Sequence, residues 1–174
     1  MNKKLIFIGV SFLWIAVAAG LIISKQHIIR TGKTILLETV PVDPRDFLRG
    51  DYVILRYKIS TIDLQQIQNE KTYYRQGEKI YVKLQPVGRF WEATAIQTKR
   101  PVSDKGVYLK VRVKYCYNNK LELIYGIESY FVPEGEGKDI EKSMRGNKSS
   151  AEVEVLVDRS GNALIKKVFT ATQK

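Results

Sequence analysis

Pro41-Val42-Asp43-Pro44-Arg45-Asp46-Phe47-Leu48-Arg49-Gly50 runs directly into Asp51-Tyr52-Val53-Ile54-Leu55-Arg56-Tyr57-Lys58-Ile59, and the change of pattern between the two halves decides the fold. In the second half Val53, Leu55, Tyr57 and Ile59 alternate with Ile54, Arg56 and Lys58, the period of two expected of a half-buried strand. In the first half Pro41 and Pro44 fix their own φ and push their predecessors into extended geometry, so a tight charged loop is predicted ahead of the strand. Gly50 supplies backbone freedom where loop becomes strand. Asp51 is expected to tie loop amides with its carboxylate.

The same alternation recurs along the chain. Lys33–Val40 reads as the strand leading into the loop. Lys79–Leu84 and Phe90–Gln97 read as a meander around Pro86-Val87-Gly88. Val107–Tyr117 predicts Val107, Leu109, Val111, Val113 and Tyr115 inward and Lys110, Arg112 and Lys114 outward. After a tight Asn118-Asn119 turn, Leu121, Leu123, Tyr125 and Ile127 continue the inward row. Glu122 faces out, within reach of Lys114 or Arg112 across the hairpin. Ala151–Val157 and Asn162–Phe169 predict a last hairpin around Asp158-Arg159-Ser160-Gly161. Short helices are expected at Thr61–Glu70, capped by Ser60 or Thr61, and at Asp139–Arg145. About eight short strands with one or two brief helices predict a mainly β fold, an antiparallel sandwich or partly closed barrel.

Ahead of this domain, Leu5–Ile23 is uncharged and apolar, long enough as a helix to cross a hydrocarbon core of about 30 Å. Lys3 and Lys4 precede it, so the positive-inside rule keeps that end in the cytoplasm and exports the rest. The predicted organisation is a cytoplasmic tail at 1–4, a transmembrane anchor at 5–23, a linker at 24–33 and an extracytoplasmic β-rich domain at 34–174. Ala16-Val17-Ala18 offers a cleavable signal peptide as the alternative. The apolar run continuing through Leu21-Ile22-Ile23 argues for an uncleaved signal-anchor.

Gly50, Asp51, Tyr52, Leu55 and Tyr57 spell G-D-Y-x-x-L-x-Y, and with the block Tyr125–Gly137 the chain resembles the GDYXXLXY family. That resemblance implies small membrane-anchored bacterial proteins of unknown biochemical activity, often encoded beside polytopic membrane proteins. It implies a bacterial cytoplasmic-membrane location and carries over no catalytic residue.

The residue inventory narrows the chemistry. A single cysteine, Cys116, excludes an intrachain disulfide and cysteine metal clusters, and His27 is the only histidine. The formal charge of +11 is dispersed along strands and turns, which points to solvated surface before nucleic acid, with an anionic membrane surface second. Pro44–Val53 also resembles the segment of type I signal peptidases around their nucleophilic serine. Here no serine lies between Ser24 and Ser60, so a Lys base would have no hydroxyl to activate.

No catalytic residue, cofactor or metal site is assigned, and the reading favours a non-enzymatic interaction or accessory subunit of a polytopic membrane protein. Its contact residues are predicted in the proline loop and around the Glu134–Gly137 turn: Asp43, Arg45, Arg49, Tyr130, Phe131, Glu134 and Glu136. Tyr130 and Phe131 are expected as a surface-facing pair. The rival reading is an envelope-acting enzyme or ligand-binding domain in which Asp43 or Asp51 meets Glu134 or Glu136 in a pocket. Neither reading fixes the oligomeric state.

Overall fold

The computed structural model describes residues 3–40, 52–100, 104–131 and 151–169. A long helix, α1 (Lys3–Thr31), leads through Gly32 into strand β1 (Lys33–Val40). The motif strand follows in two pieces, β2 (Tyr52–Ile54) and β3 (Arg56–Tyr57), and ends in a 3-10 turn at Lys58–Ser60. Then come β4 (Thr61–Asp63), β5 (Gln68–Asn69), β6 (Lys79–Val87), β7 (Phe90–Gln97), β8 (Val107–Tyr117), β9 (Lys120–Ile124) and β10 (Ser129–Phe131). The hairpin β11 (Glu152–Val157) and β12 (Ala163–Phe169) completes the described strands.

Hydrogen bonding sorts them into a six-stranded sheet in the order β4-β9-β8-β6-β7-β5, a four-stranded sheet β12-β11-β1-β3, and a two-stranded ladder β10-β2. All pairs are antiparallel except β5 with β7. The inward rows of β1 and β11 (Ile35, Leu37, Val153, Val155) join those of β6, β8 and β9 (Ile80, Val82, Leu109, Val111, Leu121) in one buried cluster. The fold is therefore mainly β with one N-terminal helix, as expected, and its sheets are layered over a shared core without closing into a barrel. The turn chemistry matches the sequence as well. Asn118 and Asn119 adopt φ of 46° and 60°, as a two-residue hairpin turn requires, and Gly161 adopts 86°. Between β6 and β7, Pro86 and Val87 extend the strand and the turn falls at Gly88.

Two expectations need correction. Thr61–Glu70 is not a helix. Thr61–Asp63 pairs with Lys120–Glu122, and Gln68 and Asn69 pair with Ala95 and Ile96. Two apolar residues three apart gave too little helical face, and local side-chain bonds took the backbone instead. The Asp63 carboxylate accepts from the Gln65 amide at 2.9 Å, and Asn69 Nδ2 donates to the carbonyls of Leu64 and Ile67. Second, Tyr115 does not point inward. A register shift between Val113 and Tyr115 leaves it 49 % exposed and turns Cys116 toward the core. Glu122 pairs with Lys114 at 3.0 Å, one of the two partners expected, and also with Arg56 at 3.6 Å. The expected helix at Asp139–Arg145 lies outside the described residues.

The helix is apolar on every side, with Phe7, Phe12, Leu13, Trp14 and Ile22 all exposed. Ile6–Thr31 averages 2.6 in hydropathy over its apolar window, none of which is buried, so it is long and apolar enough to cross a bilayer. It continues beyond Ile23, through most of the segment expected as a linker, to Thr31. Near that end Ile28 is buried where the helix meets β11 and β12. The Gly32 amide donates to the Ile28 carbonyl at 2.8 Å. A Cβ at Gly32 would lie 2.4 Å from that oxygen and 3.2 Å from Leu156 Cβ, so the helix-to-strand corner closes only around glycine.

Candidate functional site

The motif strand is clasped by the chain between β9 and β10. Leu55 and Tyr57 are both buried, and the Leu55 amide donates to the Glu128 carbonyl at 2.7 Å. Tyr57 Oη donates to the Ile127 carbonyl at 2.6 Å, while Tyr125 Oη donates to the Ile59 carbonyl at 2.7 Å. The two rings meet edge to face, 6.3 Å between centroids. Glu128 then closes the turn, accepting from the amides of Tyr125 and Gly126, the latter at a φ of 79°. Burial, with the Glu128 charge adding to it, pushes both phenols well above the ordinary tyrosine range, so each stays a neutral donor. Leu55 and Tyr57 thus act as a structural lock, each tyrosine satisfying a carbonyl beside the other.

Beside the lock, β2 and β10 form a short ladder. β2 and β10 run antiparallel with Phe131 opposite Tyr52, Tyr130 opposite Val53 and Ser129 opposite Ile54. The chain therefore enters β2 just after residue 51 and leaves β10 just before residue 132 at the same end of that ladder. Asp43, Arg45, Arg49, Gly50, Asp51, Glu134 and Glu136 lie outside the described residues. Phe131 is 76 % exposed, whereas Tyr130 is half-buried and packs on the core. Consecutive strand residues face opposite sides, so Tyr130 and Phe131 do not form the surface pair expected.

The shifted carboxylates elsewhere serve as structural ties. Asp104 accepts from Lys83 Nζ at 2.6 Å, Tyr108 Oη at 2.5 Å and the Gly106 amide at 2.7 Å. The Lys83 ammonium, then the Tyr108 and Gly106 donors, hold it well below the usual carboxylate range, so it is no proton donor near neutrality. Burial pushes Glu122 upward, but hydrogen bonds from Tyr115 and Lys114 outweigh it and leave that carboxyl low as well. Among the described residues, no group of three His, Cys, Asp or Glu side chains could hold a metal ion.

One feature was not legible as a cluster in the sequence. Lys79, Lys110 and Arg112 line a groove of about 510 Å³ on the outer face of β6 and β8, together with Ile124 and Gly126. The alternation of β8 gives Lys110 and Arg112 one face, but only the strand register brings Lys79 directly opposite Arg112.

Comparison with curated proteins and comparison with solved structures yield no match. A family model, described as the GDYXXLXY protein, matches residues 14–168, from within α1 into β12. With its motif strand locked against the Tyr125–Glu128 turn, the chain belongs to the GDYXXLXY family.

Proposed function

We propose that this protein is a single-pass, membrane-anchored accessory subunit whose β domain docks on a polytopic membrane protein outside the cytoplasm. The observation carrying this reading is α1, an apolar helix unburied over its span and joined to the domain through the buried Ile28 and the Gly32 corner. A helix so apolar on all sides needs a nonpolar solvent, and a bilayer supplies one. Lys3 and Lys4 favour a cytoplasmic N-terminus. The docking surface in this reading is the rim formed by the Tyr52–Phe131 end of the β2–β10 ladder, where Phe131 is exposed and from which the chain continues to the charged segments holding Arg45, Arg49 and Glu136.

The test is photocrosslinking in native membranes from Phe131, Arg45, Arg49 and Glu136, with Lys99 as a site away from the rim. The expected result is adducts from the rim positions to one carbonate-resistant membrane protein and none from Lys99. Equal, diffuse adducts from all five positions would contradict it. The register of Phe131 with Tyr52 also favours a second reading, a ligand-binding site shared by Asp43 or Asp51 and Glu134 or Glu136, because it roots both segments side by side. Replacing those carboxylates with amides separates the two. Only a ligand site predicts loss of binding to a small cationic or sugar ligand without loss of rim crosslinks.

A further inference from the structure

Like charges directly opposite one another in a β ladder repel, and folded sheets normally avoid or neutralise them. Lys79 and Arg112 are such a pair, and Lys110 follows two residues along the same face of β8. Two other cations of the six-stranded sheet do have carboxylates: Lys83 has Asp104, and Lys114 has Glu122. Among the described residues, none of Lys79, Lys110 or Arg112 makes an ion pair, though all three line one groove.

That groove continues toward α1. Lys110 also lines a second groove of about 680 Å³ with Gly20, Ile23, Lys25 and Ile28 of the helix and with Asp158, whose carboxylate is already taken up by the Ser160 and Asn162 amides and the Asn162 side chain. The apolar run ends at Ile23 and Lys25 is the first cation after it, so the helix passes from hydrocarbon-compatible to charged within one turn. An occupant matching both grooves carries an anionic group for the cations and apolar chains that follow the helix. Arg112 supplies a planar fork suited to phosphate oxygens, and the lysines supply point charges.

We propose that Lys79, Lys110 and Arg112 bind the phosphate headgroup of an anionic phospholipid in the leaflet facing the domain, its acyl chains lying along the Gly20–Ile23 end of α1. The site rests on the membrane-span reading of α1. It orients the domain, holding the β6–β8 face against the bilayer and setting the angle at which the β2–β10 rim is presented. Bound phosphate also relieves the Lys79–Arg112 repulsion, so the lipid acts as a missing counterion of the sheet.

The full chain, reconstituted in phosphatidylcholine nanodiscs containing phosphatidylglycerol, tests this by native mass spectrometry after release from the disc. Wild type is expected to retain phosphatidylglycerol well above its share of the supplied lipid. Lys79→Gln/Lys110→Gln/Arg112→Gln is expected to lose that enrichment several-fold. Arg75→Gln/Lys99→Gln/Lys120→Gln, which removes the same charge away from both grooves, is expected to keep it. Equal retention by wild type and the groove variant, or equal loss in the two variants, overturns the inference while leaving the span intact. Alkaline carbonate extraction is run in parallel on all three proteins. Release of wild type by carbonate overturns the span reading and the lipid site with it; a carbonate-resistant wild type indifferent to phosphatidylglycerol overturns the lipid site alone.

Discussion

Tyr57 shows why a motif residue in this chain is better understood as a fastener than as a reagent. Its hydroxyl satisfies the Ile127 carbonyl in the interior, and Tyr125 does the same for Ile59. Tyr57→Phe leaves a buried carbonyl without its donor and is expected to lower unfolding stability by about 1–2 kcal/mol, measured by chemical denaturation of the chain in detergent. Both phenols bind their proton more tightly folded than unfolded, where they titrate near 10.0. Their stabilising contribution is therefore complete below pH 10.0 and declines as pH rises beyond it, through the raised folded values. From neutral pH, thermal melts should stay flat up to that point and fall above it, less steeply in Tyr57→Phe. A decline beginning near neutrality with tyrosinate absorbance would contradict this. Gly161 is a second residue-scale test. Its φ of 86° and the 3.0 Å approach a Cβ would make to the Lys110 amide and the Tyr108 carbonyl predict at least about 1 kcal/mol of destabilisation for Gly161→Ala.

At the scale of elements, the helix-to-strand corner and the β8–β9 ladder carry the sharpest expectations. Gly32→Ala forces a Cβ against the Ile28 carbonyl and Leu156, so the end of α1 should detach from β11 and β12. Faster amide exchange confined to the Ile28–Lys33 stretch and the β11–β12 hairpin would report it. Glu122 ties Arg56, Lys114 and Tyr115 together, and its folded value lies below the ordinary 4.5. Its contribution is present above pH 4.5 and is lost as pH falls through the lowered value. Glu122→Gln should cost about 1 kcal/mol at neutral pH and flatten the acid side of the stability profile. Alternation made most of these strands legible, because a period of two on a half-buried face is written directly in residue type. The register shift after Val113 was not legible. A bulge adds a residue without a composition signature, so Tyr115 and Cys116 exchanged faces. The Thr61–Asn69 segment misled for a related reason, since Leu64 and Ile67 fit a helical turn as well as they fit two short strand ends.

At the scale of the molecule, strand order and the contents of each surface depend on pairings between distant segments, and these were not written in any local pattern. The charge of +11 looked evenly spread along the chain, yet the register of β6 with β8 gathers Lys79, Lys110 and Arg112 into one face beside α1. The rim was legible in part. Both charged segments were recognised from proline, glycine and carboxylate spacing, but their common root at the β2–β10 ladder follows only from Phe131 pairing with Tyr52. The arrangement that emerges is a β body with an apolar N-terminal helix, a basic face lining a groove beside that helix and a β2–β10 ladder ending at Tyr52 and Phe131. Its central claim is that α1 crosses the bilayer and holds the β body on the far side. The most direct measurement is thiol labelling of Lys120→Cys in a Cys116→Ala background with a membrane-impermeant maleimide, on intact cells made permeable only at the outer envelope. The account predicts full labelling before the cytoplasmic membrane is lysed; labelling only after lysis would contradict it.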